Sequence, residues 1–164
     1  MEEHNNIPIK TNQYDHLIEQ IGGLLQQGRT RAAYAVNSIL VQTYWQIGKY
    51  IVEFEQGGEE KSEYGSKLLD KLSIDLTAMY GKGFSRSNLF YIRAFYIKFS
   101  KIQTLFGFFQ TVSGKLQTQT HKLSWSHYLQ ILKTDNELEI KFYTKQCEKE
   151  NWNVHELERL IEIS

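Results

Sequence analysis

The sequence predicts an all-α fold, a multi-helix bundle that contains a helix-turn-helix-like unit. Only one proline, Pro8, occurs in 164 residues, which favours long helices over a turn-rich β fold. Apolar residues recur at three- and four-residue spacing, the period of an amphipathic helix. With 41% hydrophobic and 13% aromatic residues, the chain has enough material for a packed core. We expect a flexible tail over residues 1–12 and a single helical domain over residues 13–164.

The first half of the domain predicts two helices. The first begins near Tyr14 and is stopped by Gly28, because glycine is the usual residue just beyond a helix end. The second covers residues 30–55 and is the strongest helix in the chain. One stripe along it is expected to face the core: Val36, Leu40, Thr43, Ile47, Ile51 and Phe54.

A helix, a short turn and a second helix follow in the middle of the chain. Residues 66–80 predict the first of these helices, residues 81–84 a glycine-containing turn, and residues 85–100 a helix that Ser85 caps. Residues 101–122 predict a loop, because they hold two glycines and a Gln/Thr-rich run. The side chains expected to face inward on the two helices are Leu68, Leu69, Leu72, Leu76, Met79, Leu89, Ile92, Phe95, Tyr96 and Phe99.

Three shorter helices complete the chain, over residues 124–132, 135–150 and 154–163. Asp135 and Asn153 are suited to cap the last two, and each is followed by acidic residues that favour a helix N-terminus. The side chains expected to face inward on the second of them are Leu138, Phe142 and Cys147.

Charge is unevenly distributed although the chain is neutral overall. Residues 1–75 hold 7 basic and 11 acidic side chains, and residues 135–164 hold 4 basic and 8 acidic ones. Residues 76–134 hold 8 basic side chains and no acidic one. This asymmetry suggests either an anionic partner for the middle segment or packing of that segment against the acidic flanks.

The helix over residues 85–100 is the candidate recognition helix for DNA. In a helix-turn-helix motif the second helix enters the major groove, and its N-terminal residues reach the base edges. On a helical wheel Arg86 and Arg93 lie side by side on one edge of this helix. Arginine bonds bidentately to guanine, and lysine suits a phosphate. We expect DNA contacts from Lys82, Arg86 and Arg93, with Ser87, Lys98 and Lys101 on phosphates.

The same helix allows a second interpretation. Phe90, Tyr91 and Ile97 lie outside its main apolar stripe, which is typical of a helix buried on more than one side. A protein-interaction or homodimerisation module that uses this aromatic surface, together with residues 105–109, is the alternative to DNA binding. Asn88 falls on the apolar side of the helix, which indicates a buried polar residue or part of the cap.

No cofactor, metal site or catalytic centre is predicted in this chain. Its histidines lack metal-ligand spacing, and with one cysteine no internal disulfide is possible. Asp135, Glu139 and Lys141 match the Asp…Glu-x-Lys pattern of metal-dependent nucleases, but they fall on one predicted helix instead of two adjacent strands. No apolar run approaches the ~20 residues that span a membrane, and we expect a cytoplasmic protein. The aromatic clusters are predicted to be core: Tyr44, Trp45 and Trp125 to Tyr128.

Several short motifs occur in an order that resembles the N-terminal domain of the YhcG-like bacterial family. They include Val36-Asn37, residues 44–48, residues 83–89, residues 123–128 and Trp152-Asn153-Val154. The resemblance covers nearly the whole chain from about Tyr14. It implies a DNA-binding module attached to a Mg²⁺-dependent PD-(D/E)xK nuclease domain, with roles in bacterial DNA processing or defence. That nuclease domain would follow Ser164, so none of the family's catalytic residues is expected in this chain.

Overall fold

The structure is a computed structural model that describes residues 11–57, 67–102 and 123–164. Six helices make up these ranges, and the predicted all-α class is confirmed. In chain order they are α1 (Thr11–Glu55), α2 (Leu68–Tyr80), α3 (Arg86–Ser100), α4 (Trp125–Ile131), α5 (Glu137–Glu150) and α6 (Val154–Ile163). None of the helices in these ranges is long and apolar enough to cross a membrane.

The predicted stop at Gly28 is wrong, because α1 runs unbroken through it for 45 residues. At 1.5 Å per residue this helix is about 67 Å long. Glycine inside a helix costs roughly 1 kcal/mol relative to alanine, but it ends a helix only where the backbone turns left-handed. Gly28 keeps the helical backbone, and Thr30 reinforces this turn by donating its hydroxyl to the Gln26 carbonyl at 3.0 Å.

Helix α3 lies at the centre of the bundle. Leu89, Ile92, Phe95 and Phe99 are all buried on it, and it packs against both α1 and α2. Phe95 also meets Trp125 of α4 edge to face, with ring centroids 5.4 Å apart. Aromatic rings thus meet around Phe95 in the interior, and such edge contacts stabilise the core beyond the area they bury.

The aromatic clusters predicted to be core are confirmed as such. Trp45 is buried and contacts the rings of Phe95 and Tyr96, at centroid distances of 5.5 and 4.9 Å. Trp125 and Tyr128 are buried on the opposite side of Phe95. These rings are therefore not available to stack on the bases of a nucleic acid.

The predicted core-facing stripe of α1 is confirmed in its second half and wrong in its first. Ile51 is buried and Ile47 and Phe54 pack partly buried against the core, but Val36 is 64% exposed. The first half of the stripe is replaced by Val41, Trp45 and Gly48, which are buried. Leu40 and Thr43, which complete the mispredicted part of the stripe, are also exposed. Trp45 and Gly48 are the residues of α1 that meet α3. The Trp45 indole contacts the rings of Phe95 and Tyr96, and Gly48 lets the backbone of α1 approach Ile92 closely.

Two further predicted faces need correction. Met79 of α2 is exposed, although the leucines before it are buried or half-buried. On α5 Cys147 is buried as predicted, but Leu138 and Phe142 are exposed. Instead the helix buries Ile140, Tyr143 and Thr144.

The C-terminal helices are joined through a buried histidine. The backbone N–H of Ser124 donates to Nδ1 of His127 at 3.1 Å, and Nε2 of the same ring lies 2.9 Å from the Trp152 carbonyl. A neutral ring that carries its proton on Nε2 satisfies both bonds. His127 thus ties the start of α4 to the connection between α5 and α6, a packed role as the sequence indicated.

Candidate nucleic-acid interface

Where the sequence predicts a helix, a short turn and a second helix, the structure has α2, five residues outside any helix (81–85) and α3. Gly81 and Gly83 have φ angles of 83° and 109°, in the region that side chains disfavour. Ser85 then caps α3 by accepting the backbone N–H of Asn88 at 3.1 Å. The turn and the first turn of α3, residues 81–88, are mostly exposed, and we call them the α3 corner.

Asn88 holds this corner to the rest of the bundle. Its amide nitrogen donates to the Gly83 carbonyl at 2.7 Å, and its amide oxygen accepts the indole N–H of Trp125 at 2.8 Å. Asn88 is half-buried. The interpretation of Asn88 as a polar residue that packs and supports the cap is confirmed.

Arg86 lies at the first position of α3 and pairs with Asp70 of α2. Its Nε is 2.5 Å from one carboxylate oxygen, and its side chain is 60% exposed. An exposed ion pair of this kind contributes only about 0–1 kcal/mol, so an anionic ligand competes with it at small cost.

Arg93 is held by Glu55 near the C-terminus of α1. Nε and Nη2 donate to the two carboxylate oxygens at 2.6 and 2.8 Å, which is a bidentate pair. About a third of each side chain is exposed, at 35% and 30%. The hydrogen bonds to Glu55 raise the pKa of Arg93 above its ordinary value.

Lys98 is occupied inside the bundle. Its ammonium donates to the carbonyls of Leu132 and Thr134, both at 3.0 Å, and lies 2.8 Å from a carboxylate oxygen of Asp135. The hydrogen bond from Lys98 lowers the pKa of Asp135. Lys98 thereby satisfies the carbonyl of Leu132, the C-cap residue of α4, and that of Thr134 in the connection to α5.

The other sequence-predicted residues stay on the surface. Lys82 in the turn, Ser87 in the first turn of α3 and Lys101 just beyond its end are all exposed. No hydrogen bond or ion pair joins the Lys82 or Lys101 side chain to another of the described residues. Lys101 lies a helix length, about 22 Å, from the α3 N-terminus. The structure thus brings together Lys82, Arg86 and Ser87 but separates Lys101 from them.

Burial limits how much of α3 is accessible to a ligand. Only Arg86, Ser87 and Phe90 are exposed along it, and the last turns are buried or half-buried. A recognition helix needs an exposed face several turns long to lie in a major groove. In this bundle only the N-terminal turn of α3 is open to a partner.

The aromatic surface of the alternative interpretation is also reduced. Phe90 is half-exposed and touches the ring of Tyr91, but Tyr91 and Ile97 are themselves partly buried. Residues 105–109 lie outside the described residues. The largest run of exposed apolar side chains in the described ranges is on the first half of α1 instead.

Sequence reasoning missed the acidic partners of the basic residues. Glu55, Asp70 and Asp135 all belong to the acidic flanks, and they neutralise Arg93, Arg86 and Lys98 of the basic middle segment. Packing of the middle against its flanks was one of the two explanations for the charge asymmetry. The pairs themselves were not visible, because the partners are 16 to 38 residues apart.

The nuclease-like pattern at residues 135–141 is a helix start. Glu139 and Lys141 belong to α5, and the carboxylate of Glu139 accepts from the Thr134 hydroxyl and the Asn136 amide. Within the described ranges, no cluster of three or more histidine, cysteine or acidic side chains is placed to hold a metal ion.

Comparison with known proteins places the chain in a family. The family model of the DUF1016 N-terminal domain matches residues 20–164. The chain is 34% identical over 166 aligned residues to the Escherichia coli (strain K12) protein named "Putative nuclease YhcG", which covers 90% of this chain and 44% of that protein. The chain therefore spans less than half the length of this relative, and no solved structure matches it. In agreement with the order of its motifs, the chain belongs to the DUF1016 N-terminal domain family.

Proposed function

We propose that this chain is a DNA-binding module that positions a nuclease on its substrate. The observation that carries the proposal is the exposed corner at the start of α3, where Lys82, Arg86 and Ser87 project from one turn and one helix N-terminus. The relative named as a nuclease supports the association with nuclease chemistry, which would lie in a part of a longer protein outside residues 13–164. The module itself supplies binding and no catalysis, and it acts on DNA in the cytoplasm.

The α3 N-terminus is suited to a phosphate for two reasons. The first backbone N–H groups of a helix have no partner within it, and the aligned peptide dipoles place about half a positive charge there. Lys82 and Arg86 add full charges beside this end. Phosphate contacts of this kind give affinity and register without reading the base sequence.

The contacts that the predicted residues make within the protein determine how readily each of them binds a phosphate. When Arg86 binds a phosphate, it loses only the exposed ion pair that its Nε makes with Asp70. Arg93 would lose a bidentate pair, and Lys98 would leave two carbonyl oxygens without their donor. We therefore assign the main contact to Lys82, Arg86 and Ser87, and a smaller one to Arg93, Lys98 and Lys101.

Fluorescence anisotropy of a labelled duplex over a salt series tests the proposal. The Lys82→Ala/Arg86→Ala double variant should bind more weakly than wild type. Its plot of log affinity against log salt should be shallower by about 2, because each phosphate contact contributes a slope of about 0.9. The Lys141→Ala/Lys145→Ala double variant, which removes two exposed charges from α5, is the matched control and should bind as wild type does.

Two results would overturn the assignment. Wild-type protein that binds no duplex at low salt, while folded by circular dichroism, removes the DNA-binding function. Equal loss of affinity in the Lys82→Ala/Arg86→Ala and Lys141→Ala/Lys145→Ala variants shows that only overall charge matters, and that the α3 corner is not the contact surface.

A further inference from the structure

The first half of α1 extends away from the bundle as a free helical arm. Every residue from 12 to 33 is exposed, and the first buried residue of the helix is Ser38. The arm is about 33 Å long at 1.5 Å per residue. It is therefore a surface of considerable length that no other described residue covers.

One side of this arm is apolar. Its large side chains are between 46% and 69% exposed: Tyr14, Leu17, Ile18, Ile21, Leu24 and Leu25. Positions 14, 18, 21, 25, 28, 32 and 35 follow alternating steps of four and three residues, the spacing of a coiled-coil seam. The last three of these positions hold Gly28, Ala32 and Ala35. A contiguous exposed apolar strip of this kind marks an interaction site.

Charge on the arm is divided between its two ends. Asp15 and Glu19 lie in its first part, and Arg29 and Arg31 lie in its last part. No ion pair joins any of these four side chains to another residue in the described ranges. A helix that is acidic at one end and basic at the other is complementary to a copy of itself that runs in the opposite direction.

We propose that two copies of this chain associate through antiparallel packing of residues 14–32 of α1. With Ile21 of one copy opposite Leu25 of the second copy, Ile18 faces Gly28 and Tyr14 faces Ala32. Large side chains then lie over small ones at both ends of the overlap, as close helix packing requires. The same register places Asp15 beside Arg29 of the second copy, twice in the symmetric dimer.

Size and charge both favour the antiparallel over the parallel arrangement. A parallel pair in register would leave a gap where two copies of Gly28 meet, and it would keep Asp15 of one copy far from Arg29 of the second. In the antiparallel dimer twelve large side chains lose solvent, each burying on the order of 100 Å². The total of about 1,200 Å² reaches the lower bound of specific interfaces, so we expect a dissociation constant in the micromolar range.

This dimer is independent of the proposed DNA contact, which uses the α3 corner. Sedimentation equilibrium measures dimerisation directly. Wild type should be a concentration-dependent dimer, and Leu24→Asp, which places a charge in the middle of the strip, should be a monomer with unchanged helix content. Gln20→Asp adds the same charge to an exposed position outside the strip and is the matched control.

A charge exchange then tests the antiparallel register. Asp15→Arg alone and Arg29→Asp alone should each weaken the dimer by about fivefold to tenfold, since each creates like-charged neighbours twice. The Asp15→Arg/Arg29→Asp double variant should return to within about twofold of wild type. Only a second copy running antiparallel restores affinity in this way.

Three results would overturn the proposal. The first is a wild-type protein that stays monomeric to about 100 µM, well above the expected dissociation constant. The second is strong hydrogen-exchange protection of residues 14–25 in such a monomer, which would show that another part of the same chain covers the strip. The third is a double charge variant no better than its single parents, which would rule out this register.

Discussion

Arg93 in the middle of α3 and Glu55 at the last residue of α1 are joined by two parallel hydrogen bonds, 2.6 and 2.8 Å long. They lie 38 residues apart in the chain, and the pair fixes the C-terminal end of α1 against the central helix of the bundle. Arg93 therefore connects two helices of its own fold, and its charge is balanced where it stands. This is a structural role for a residue that the sequence pattern suggests as a DNA ligand.

Arg93 should contribute more to the stability of the fold, through its pair with Glu55, than to the binding of a ligand. Arg93→Ala is expected to lower the free energy of unfolding by about 0.5–1.5 kcal/mol, because the pair is bidentate but about a third exposed. A double-mutant cycle with Glu55→Ala, measured by urea denaturation, isolates the coupling between the two side chains. Additive single effects would show that the pair contributes nothing.

The close approach of α1 and α3 makes Gly48 sensitive to any side chain. A Cβ at this position would lie 2.5 Å from the Ile92 carbonyl oxygen and 2.9 Å from Cβ of Tyr96. Neither atom can move without separating the two helices. Gly48→Ala should therefore destabilise the protein by about 1–3 kcal/mol, despite the gain in helix propensity.

Gly23 supplies the control for that substitution within the same helix. A Cβ there meets nothing within 4 Å, so Gly23→Ala should stabilise the protein or leave its stability unchanged. Thermal denaturation of both variants separates backbone propensity from steric overlap. If the two variants shifted the melting temperature in the same direction, the contact between α1 and α3 would be looser than the structure indicates.

The sequence predicted the helices after residue 66 better than the first one. Short helices bounded by Gly81, Ser85 and Asn153 begin and end close to the predicted positions, because caps and turns act within a few residues. Gly28 carries the same local signal but has no such effect. Gly28 lies in an exposed part of α1 and keeps the helical backbone, because the cost of one glycine, about 1 kcal/mol, is too small to end a helix whose neighbouring residues favour it.

Helix faces and ion pairs depend on tertiary contacts. On α3 the residues expected to face inward are all buried or half-buried. On α1 and α5 several of the expected residues are exposed, because tertiary contacts decide which apolar side chains are buried. Asp135 illustrates the limit. It was expected to cap α5, but it pairs with Lys98 of α3, and Asn136 caps the helix instead by accepting the Leu138 N–H at 3.0 Å.

Asn88 should be more important for the α3 corner than any charged residue there. Asn88→Ala removes the donor to the Gly83 carbonyl and leaves the half-buried indole N–H of Trp125 without its acceptor. We expect a loss of about 1–3 kcal/mol in the free energy of unfolding. Asn88→Asp keeps the acceptor for Trp125 but sets a charged acceptor oxygen against the Gly83 carbonyl, so it should lose more than Asn88→Ala. Urea denaturation followed by tryptophan fluorescence ranks the two variants, and a smaller loss in Asn88→Asp would mean that the bond to Trp125 matters more than the bond to Gly83.

The ion pair between Lys98 and Asp135 should make the free energy of unfolding depend on pH in the acidic range. Lys98 lowers the pKa of Asp135, so the folded protein holds this carboxylate ionised at a lower pH than the unfolded chain does. The stability that this pair contributes is fully present above the ordinary aspartate pKa of about 4. It is lost as the pH falls through the lowered pKa of Asp135 in the folded protein. Asp135→Asn should therefore be less stable than wild type at pH 7, and the difference should disappear by about pH 2.

A comparison of Lys98→Met with Asp135→Asn separates the contribution of the carboxylate contact from that of the two carbonyl contacts. Lys98→Met removes the donor to the Leu132 and Thr134 carbonyls as well as the pair with Asp135. The loss should exceed that of Asp135→Asn at pH 7 by about 1–2 kcal/mol, and this excess should persist at pH 3, because backbone carbonyls do not titrate. Urea denaturation at several pH values measures both effects. If the excess vanished together with the carboxylate contribution, the ammonium would act through Asp135 alone, and the carbonyls at the end of α4 would not depend on Lys98.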